Sequence, residues 1–274
     1  MSGNGYNDTK MRRNHVMNDE FFFDVYARYR NKLKDLRWDV KLMPYDWLQI
    51  PSSVSIEWFP FVEMAREHTK EIANDGNLLA ISKDRLFVWS KVLNEFPNDQ
   101  DKLEITVEFV TPVAHLAIDL PYAIRSRFIL SVSHLSHQAN RKKVANWKDD
   151  LKPDRNIDYK VMKKVALHWN TFEQFNKKLA LINNDAFKAK LLEARDKFHH
   201  RFPPSFVVGI TQPIVRITGK SGKIAYGLEG FDPLSTVEVF AALEDQYQAV
   251  FECFSAYQAL VQEQVLFIFG SDGV

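Results

Sequence analysis

A long interval without glycine constrains this chain more than any other feature of its sequence. All ten glycines lie outside residues 77–208. Glycine is common at tight turns and directly after helices, and it weakens the interior of a helix. Its absence over so long an interval favours long helices, which bury their apolar faces by packing against one another. The sequence therefore predicts a mainly α-helical fold, a long-helix bundle.

The first hundred residues predict a disordered tail followed by a helical region. Residues 1–17 are rich in Gly, Asn and charge, so we expect them to be disordered. Residues 18–100 form an N-terminal helical region, because from Asn18 apolar residues recur at three- and four-residue spacing. Asn74-Asp75-Gly76 is typical of a helix C-terminus, so one helix should end there and another should follow over about 78–95.

Residues 101–274 contain further long helices. Residues 103–109 alternate in the strand period, but no partner strand lies nearby in the sequence, and we favour a helix over a strand there. One long helix should cover about 113–144, with a kink or a restart at Pro121. Another should span about 158–182, and the turn after it leads into a helix that begins at Asp185.

Glycine returns after this region, with five of the ten between 209 and 230. Two segments rich in β-branched and apolar residues flank Thr218-Gly219-Lys220-Ser221-Gly222, which predicts a β-hairpin inserted near 206–228. The Gly-Lys-Ser string in its turn lacks the strand-to-helix glycine loop that binds phosphate. A last helix should run over about 235–267.

Composition excludes several classes of protein. Lys and Arg number 36 and Asp and Glu 35, so the net charge of +1 gives no bulk attraction for nucleic acid, and any basic surface must be local. No apolar run approaches the roughly 18 residues that span a membrane, and the polar first 20 residues contain no apolar signal segment. We expect a soluble, cytoplasmic protein. Cys253 lies among aromatic residues and should be a buried, unreactive thiol.

Motifs for cofactors and metals give no site. The sequence contains no G-x-G-x-x-G, H-E-x-x-H or C-x-x-C, and we expect neither a cofactor nor a bound metal. His134 and His137, three residues apart on the long helix, are close enough to share one metal ion. No cysteine or carboxylate at matching spacing accompanies them, so we favour a solvated or hydrogen-bonding helix face.

One short segment combines an arginine, an acid and two histidines: Arg195-Asp196-Lys197-Phe198-His199-His200. Two prolines follow it closely, and no helix continues through them. A histidine can move a proton near neutral pH, and a guanidinium can hold phosphate oxygens with two hydrogen bonds, so the pair suits phosphodiester chemistry. The alternative is a basic helix end that complements the helix dipole, with Asp196 as an ordinary surface acid.

The two histidines differ in their relation to the arginine. On a regular helix His199 lies about 40° from Arg195 around the axis, and His200 about 140°. The helix must end near this point, and where it ends His200 could turn towards Arg195.

The segment resembles the R-polar-x-x-x-H signature of HEPN-domain proteins, small helical bundles that often act as metal-independent ribonucleases. In that family the signature lies at the end of a late bundle helix, and two copies meet in a dimer to form a composite RNA-cutting cleft. The resemblance implies that Arg195 is the family arginine, Asp196 its polar neighbour and His200 the catalytic histidine, with His199 as a rival. It covers these six residues and the helical setting of roughly 113–268.

The resemblance implies an HEPN-like endoribonuclease, with residues 101–274 as the HEPN-like bundle. RNA would be the substrate, a homodimer the active form, and an antitoxin or regulatory protein a further partner, in phage defence or a toxin–antitoxin system. Some residues of the basic runs Arg141-Lys142-Lys143, Lys163-Lys164 and Lys177-Lys178, together with Lys188 and Lys197, would then guide an RNA backbone, although such runs usually form a solvated helix face. The alternative function is a non-catalytic helical binding or scaffold protein.

Overall fold

The structure is a computed structural model that describes residues 5–36, 41–51, 53–211, 213–218, 222–228 and 230–270, with side chains from Asp19 onward. Its helices are α1 (Gly5–Asp35), α2 (Phe59–Leu93), α3 (Asp99–Ile105), α4 (Thr111–Lys143), α5 (Tyr159–Ala166), α6 (Phe172–Leu179), α7 (Asp185–Lys190), α8 (Ala194–His200) and α9 (Thr236–Phe269). A π-helix, Thr106–Val110, joins α3 to α4, and strands β1 (Ile214–Thr218) and β2 (Ile224–Leu228) form an antiparallel hairpin. The predicted mainly α fold with an inserted hairpin is confirmed.

The chain forms two compact units that alternate along the sequence. The first unit consists of Met1–Asp39, Asp84–His115 and Asp196–Phe240, and the second of Val40–Lys83, Leu116–Arg195 and Ala241–Val274. Neither unit coincides with the predicted division at residue 100. Among the described residues, no helix is long and apolar enough to cross a membrane.

Aromatic side chains fill the first unit. Tyr29 of α1 stacks on Trp89 of α2 with ring centroids 4.3 Å apart, and Trp89 stacks on Phe109 of the π-helix at 4.9 Å. Phe87 of α2 contacts Phe240 of α9 at 5.0 Å. Such pairs contribute about 0.5–1.5 kcal/mol each beyond the area they bury. Aromatic residues of α1, of the C-terminal part of α2 and of the π-helix therefore build the core of this unit.

Tyr257 of α9 lies at the centre of the second unit. It is fully buried, and its hydroxyl oxygen lies 2.7 Å from the hydroxyl oxygen of Ser131 on α4. Its ring contacts Phe128 of α4 at 5.4 Å and Phe175 of α6 at 6.4 Å, so apolar faces of α4, α6 and α9 meet around it. Cys253 is also buried in this unit as predicted, and burial raises the pKa of its thiol well above the ordinary value.

The predicted helix end at Asn74-Asp75-Gly76 is wrong, because α2 runs through it without a break. Gly76 is required for packing: a Cβ atom at this position would lie only 2.3 Å from Sδ of Met43. The next residue, Asn77, accepts a hydrogen bond from the Met43 backbone nitrogen at 2.7 Å and donates one to the Met43 carbonyl oxygen at 3.2 Å. The residues that look like a helix end instead bind the segment around Met43 closely to α2.

The predicted single helix over 158–182 is two helices, α5 and α6, with a break at 167–171. Glu263 of α9 holds this break. Its carboxylate accepts hydrogen bonds from the backbone nitrogens of Asn170 and Thr171, both at 2.9 Å, and from the Thr171 hydroxyl at 2.6 Å. The Glu263 carboxylate therefore caps the start of α6 from another helix. This role usually belongs to the side chain of the N-cap residue next to the helix.

The remaining boundaries are close to the predictions, except at the N-terminus. The preference for helix over strand at 103–109 is confirmed by α3 and the π-helix, and α4 continues through Pro121. Helix α1 begins at Gly5, so residues 5–17, predicted to be disordered, are helical. No proline interrupts them, and the Asn and Asp residues among them lower helix propensity only by fractions of a kcal/mol each. Residues 1–4 lie outside the described residues.

Candidate active site around Arg195

Helix α8, which carries the predicted motif, is a separate seven-residue helix rather than the end of a long one. Helix α7 ends at Lys190, and Leu192 and Glu193 then adopt left-handed backbone angles with φ of 53° and 58°. The Glu193 backbone nitrogen donates to the Lys188 carbonyl oxygen at 2.8 Å, which closes the end of α7. Because residues with side chains rarely adopt this geometry, neither position looks like a break in the sequence.

Helix α8 is still regular at its last residue, His200. The backbone nitrogen of Arg201 donates to the carbonyl oxygen of Lys197 at 2.7 Å, which is the ordinary helical hydrogen bond. By helical periodicity alone, His199 projects from the same side of α8 as Arg195, and His200 lies about 140° around the axis. The helix therefore does not unwind to turn His200 back along itself.

Arg195, in the second unit, is held by two residues of α4. Its guanidinium carbon lies 3.6 Å from the centroid of the Tyr122 ring, and its Nε lies 3.5 Å from Oδ1 of Asp119. The first contact is a cation–π stack, and the second is an ion pair longer than a good hydrogen bond. Asp119 and Tyr122 are three residues apart and share a helix face. With 23% of its side chain exposed, Arg195 does not point into bulk water.

The rest of the motif belongs to the first unit, where a third histidine approaches it. Phe198 stacks on His115 of α4 with ring centroids 3.9 Å apart, and His115 also contacts Phe206 at 5.3 Å. The ring of His199 lies 5.2 Å from Phe198 and 6.2 Å from the ring of His200, and both histidines are exposed. Asp196 is half-buried.

Sequence reasoning missed His115, Asp119 and Tyr122, all on α4. Each contacts a residue of α8 that is far away in the sequence. Within α4 they look like ordinary helix-face residues, and the only local signal is the three-residue spacing of Asp119 and Tyr122. Because these contacts join segments that are distant in the sequence, the motif alone could not identify the residues that hold Arg195.

The basic runs proposed to guide RNA are largely engaged with acidic side chains. The ion pairs are Arg141–Glu57, Lys143–Glu263, Lys164–Asp150, Lys177–Glu173, Lys178–Glu252 and Lys188–Asp185. Exposed pairs of this kind contribute about 0–1 kcal/mol each to stability. They also reduce the positive charge that a phosphate backbone would meet, which favours the interpretation as a solvated helix face.

The two histidines of the long helix have separate partners. His134 Nε2 lies 3.0 Å from Oδ1 of Asp154, and His137 Nε2 lies 3.0 Å from Oδ1 of Asp149. Of the two predicted alternatives, a solvated face or a hydrogen-bonding face, the structure shows hydrogen bonding. Within the described part of the chain, no three His, Cys, Asp or Glu side chains are arranged to hold a metal ion.

Comparison of the chain with protein-family models, with curated proteins and with solved structures gives no match. The inference of function therefore depends on the side chains described above and on the motif that α8 carries.

Proposed function

We propose that this protein is an HEPN-like, metal-independent endoribonuclease. The observation that carries the proposal is the state of the motif residues: Tyr122 and Asp119 hold the Arg195 guanidinium, and His199 and His200 are exposed on the same short helix. Cleavage of RNA without a metal needs an oriented cation to offset charge on the phosphate and an accessible group to move protons. Arg195 and His200 fill these two roles in the proposal.

The proposed reaction is attack by a ribose 2′-hydroxyl on the adjacent phosphorus. His200 takes the 2′-hydroxyl proton as the new O–P bond forms, and the P–O5′ bond breaks with protonation of the leaving 5′-oxygen. The products are a 2′,3′-cyclic phosphate and a 5′-hydroxyl. Arg195 stabilises the charge that develops on the non-bridging oxygens, and Asp196 orients one of these two groups. His199 is the rival for the proton-transfer role.

A composite cleft between two copies of the chain fits the helix geometry. Because α8 stays regular, His200 projects about 140° away from Arg195, and in the proposal a second copy supplies the arginine that His200 works with. The resemblance to HEPN-domain proteins supports the same arrangement. A homodimer in the cytoplasm, an RNA target and an antitoxin or regulatory partner belong to this proposal, as does a role in phage defence or a toxin–antitoxin system.

A non-catalytic helical binding or scaffold protein is the second candidate. The contacts of Arg195 favour it, because a guanidinium stacked on Tyr122 and paired with Asp119 is also what a structural arginine would show. The ion-paired lysines favour it too, since each pair reduces the positive charge that an RNA backbone would meet.

The deciding experiment incubates the purified protein with total RNA in the presence of EDTA. We expect cleavage by wild type and a loss of about 10²-fold or more in Arg195→Ala and His200→Ala. Arg195→Lys keeps the charge but loses the two-pronged geometry, and should also be impaired. His168→Ala, an exposed histidine outside the motif, is the matched control and should cut normally.

Equal behaviour of wild type and both alanine variants would remove the nuclease proposal and leave the scaffold. If His199→Ala loses activity while His200→Ala keeps it, the catalytic histidine is His199 and the composite cleft is unnecessary.

A further inference from the structure

An aromatic cavity in the first unit is separate from the motif of α8. It has a volume of about 510 Å³ and is lined by Asp19, Phe22, Phe23 and Tyr26 of α1 and by Glu108 and Phe109 of the π-helix. Small-molecule sites typically have volumes of about 300–1,000 Å³.

Four aromatic rings form most of its wall. Phe22 meets Phe109 edge to face with ring centroids 5.7 Å apart, and Tyr26 stacks on Phe109 at 6.3 Å. Phe23 is 75% exposed and Tyr26 is 45% exposed, so both of these lining residues keep surface open to solvent. Large aromatic side chains exposed together mark interaction sites more often than ordinary surface.

The π-helix gives a second, independent indication of a site. Single turns of π-helix are rare and are frequent at functional sites. Thr106 and Val110 anchor this turn because both are buried, and Phe109 packs on Trp89 at 4.9 Å. The turn therefore holds Phe109 at the cavity wall, and the exposed Glu108 precedes it in the same turn.

We propose that this cavity binds a small quaternary ammonium compound, an alkylated organic cation of the choline type. The faces of aromatic rings attract such cations, and Asp19 and Glu108 add opposite charge. No lysine or arginine is among the described residues that line the cavity. Nearby on α1, Arg28 pairs with Asp24 at 2.9 Å and Glu95 at 3.3 Å.

The charges at the cavity select against other ligands. An anion would be repelled by the two carboxylates, and a neutral apolar molecule would gain nothing from them. A quaternary ammonium is suited to both features because its methyl groups contact the rings while its charge remains diffuse. The site does not depend on the proposed nuclease function, since it shares no residue with the motif of α8.

The test is isothermal titration calorimetry of the full chain with choline and with 3,3-dimethylbutan-1-ol, the neutral molecule of the same shape. We expect saturable one-to-one binding of choline and at least about tenfold weaker binding of the alcohol. Tyr26→Leu, which removes one ring, should weaken choline binding about three- to tenfold. The double variant Asp19→Asn/Glu108→Gln should weaken it to a similar degree and reduce its dependence on salt.

The control is Glu67→Gln, which removes an exposed carboxylate of α2 outside the cavity and should bind choline as wild type does. Circular dichroism checks that each variant is folded. The proposal is overturned if choline does not bind, if the alcohol binds equally well, or if the folded Tyr26→Leu and Asp19→Asn/Glu108→Gln proteins keep wild-type affinity.

Discussion

The packing of Gly76 against Met43 makes a prediction that can be worked out in detail. An alanine Cβ at position 76 would lie 2.3 Å from Sδ and 2.5 Å from Cε of Met43, whereas non-bonded heavy atoms prefer about 3.5–4.0 Å. Met43 is buried, with 1% of its surface exposed, so it has little room to move. Overpacking of this kind costs about 1–3 kcal/mol, and the gain in helix propensity from Gly to Ala offsets about 1 kcal/mol. We expect Gly76→Ala to reduce the free energy of unfolding by about 1 kcal/mol.

Gly76→Ala should change the free energy of unfolding in the opposite direction when Met43 is replaced by alanine. Met43→Ala alone should cost about 2–5 kcal/mol, because it leaves a cavity beside α2. In that background the clash is gone, the new methyl group occupies part of the cavity, and Gly76→Ala should stabilise the protein by about 1 kcal/mol. The coupling between the two sites is then about 2 kcal/mol.

Urea unfolding of the four proteins, followed by circular dichroism, measures this coupling from the midpoints and slopes. If Gly76→Ala changes the free energy of unfolding equally with Met43 present and in the Met43→Ala background, close packing against Met43 is not the reason for the glycine.

Three further predictions concern stability and pH. Glu263→Ala should lower the free energy of unfolding by about 1–3 kcal/mol, because it removes the acceptor for the donors of Thr171; a change near zero in urea unfolding would contradict the capping role. Burial and the neighbouring His134 lower the pKa of His68, so the unfolded state takes up this proton first. The protein should therefore become less stable as the pH drops through about 6.5. In thermal melts, the loss of stability from pH 8 to pH 5.5 should be smaller in His68→Gln than in wild type. An equal loss in both proteins would contradict this. Glu193→Gly should raise the free energy of unfolding by about 1 kcal/mol, because glycine adopts a φ of 58° without strain. A decrease in urea unfolding would show that contacts of the Glu193 side chain outweigh this backbone strain.

The spacing of apolar residues and the positions of glycine were sufficient to predict the helices and strands whose ends depend on nearby residues. The predicted long helix over about 113–144 corresponds to α4, and the glycines between 209 and 230 predicted the hairpin. The predicted last helix over about 235–267 corresponds to α9, which ends at Phe269 directly before Gly270.

The errors share one physical cause, which is that contacts between distant segments override local signals. Gly76 resembles a helix end until Met43 is placed against it, and the break at 167–171 depends on Glu263, which lies 92 residues after Thr171. The break before α8 depends on the left-handed geometry of Leu192 and Glu193, which neither residue type favours.

The candidate site was predictable only in part for the same reason. The sequence placed Arg195, His199 and His200 on one helix, and α8 carries all three. The residues that hold the arginine come from α4 and have no motif of their own. The roles of Arg195 and of the two histidines in the proposed nuclease remain predictions.

The measurement that tests the proposed nuclease most directly is the chemistry of the RNA ends. Wild-type protein, with EDTA present, is incubated with one RNA and with the same RNA carrying 2′-O-methyl groups, and the products are analysed by mass spectrometry. Attack by the 2′-hydroxyl predicts 2′,3′-cyclic phosphate and 5′-hydroxyl ends from the first RNA, no cleavage of the methylated RNA, and loss of these products in His200→Ala. Cleavage of both RNAs, products with 3′-hydroxyl ends, or an intact first RNA would contradict the proposal.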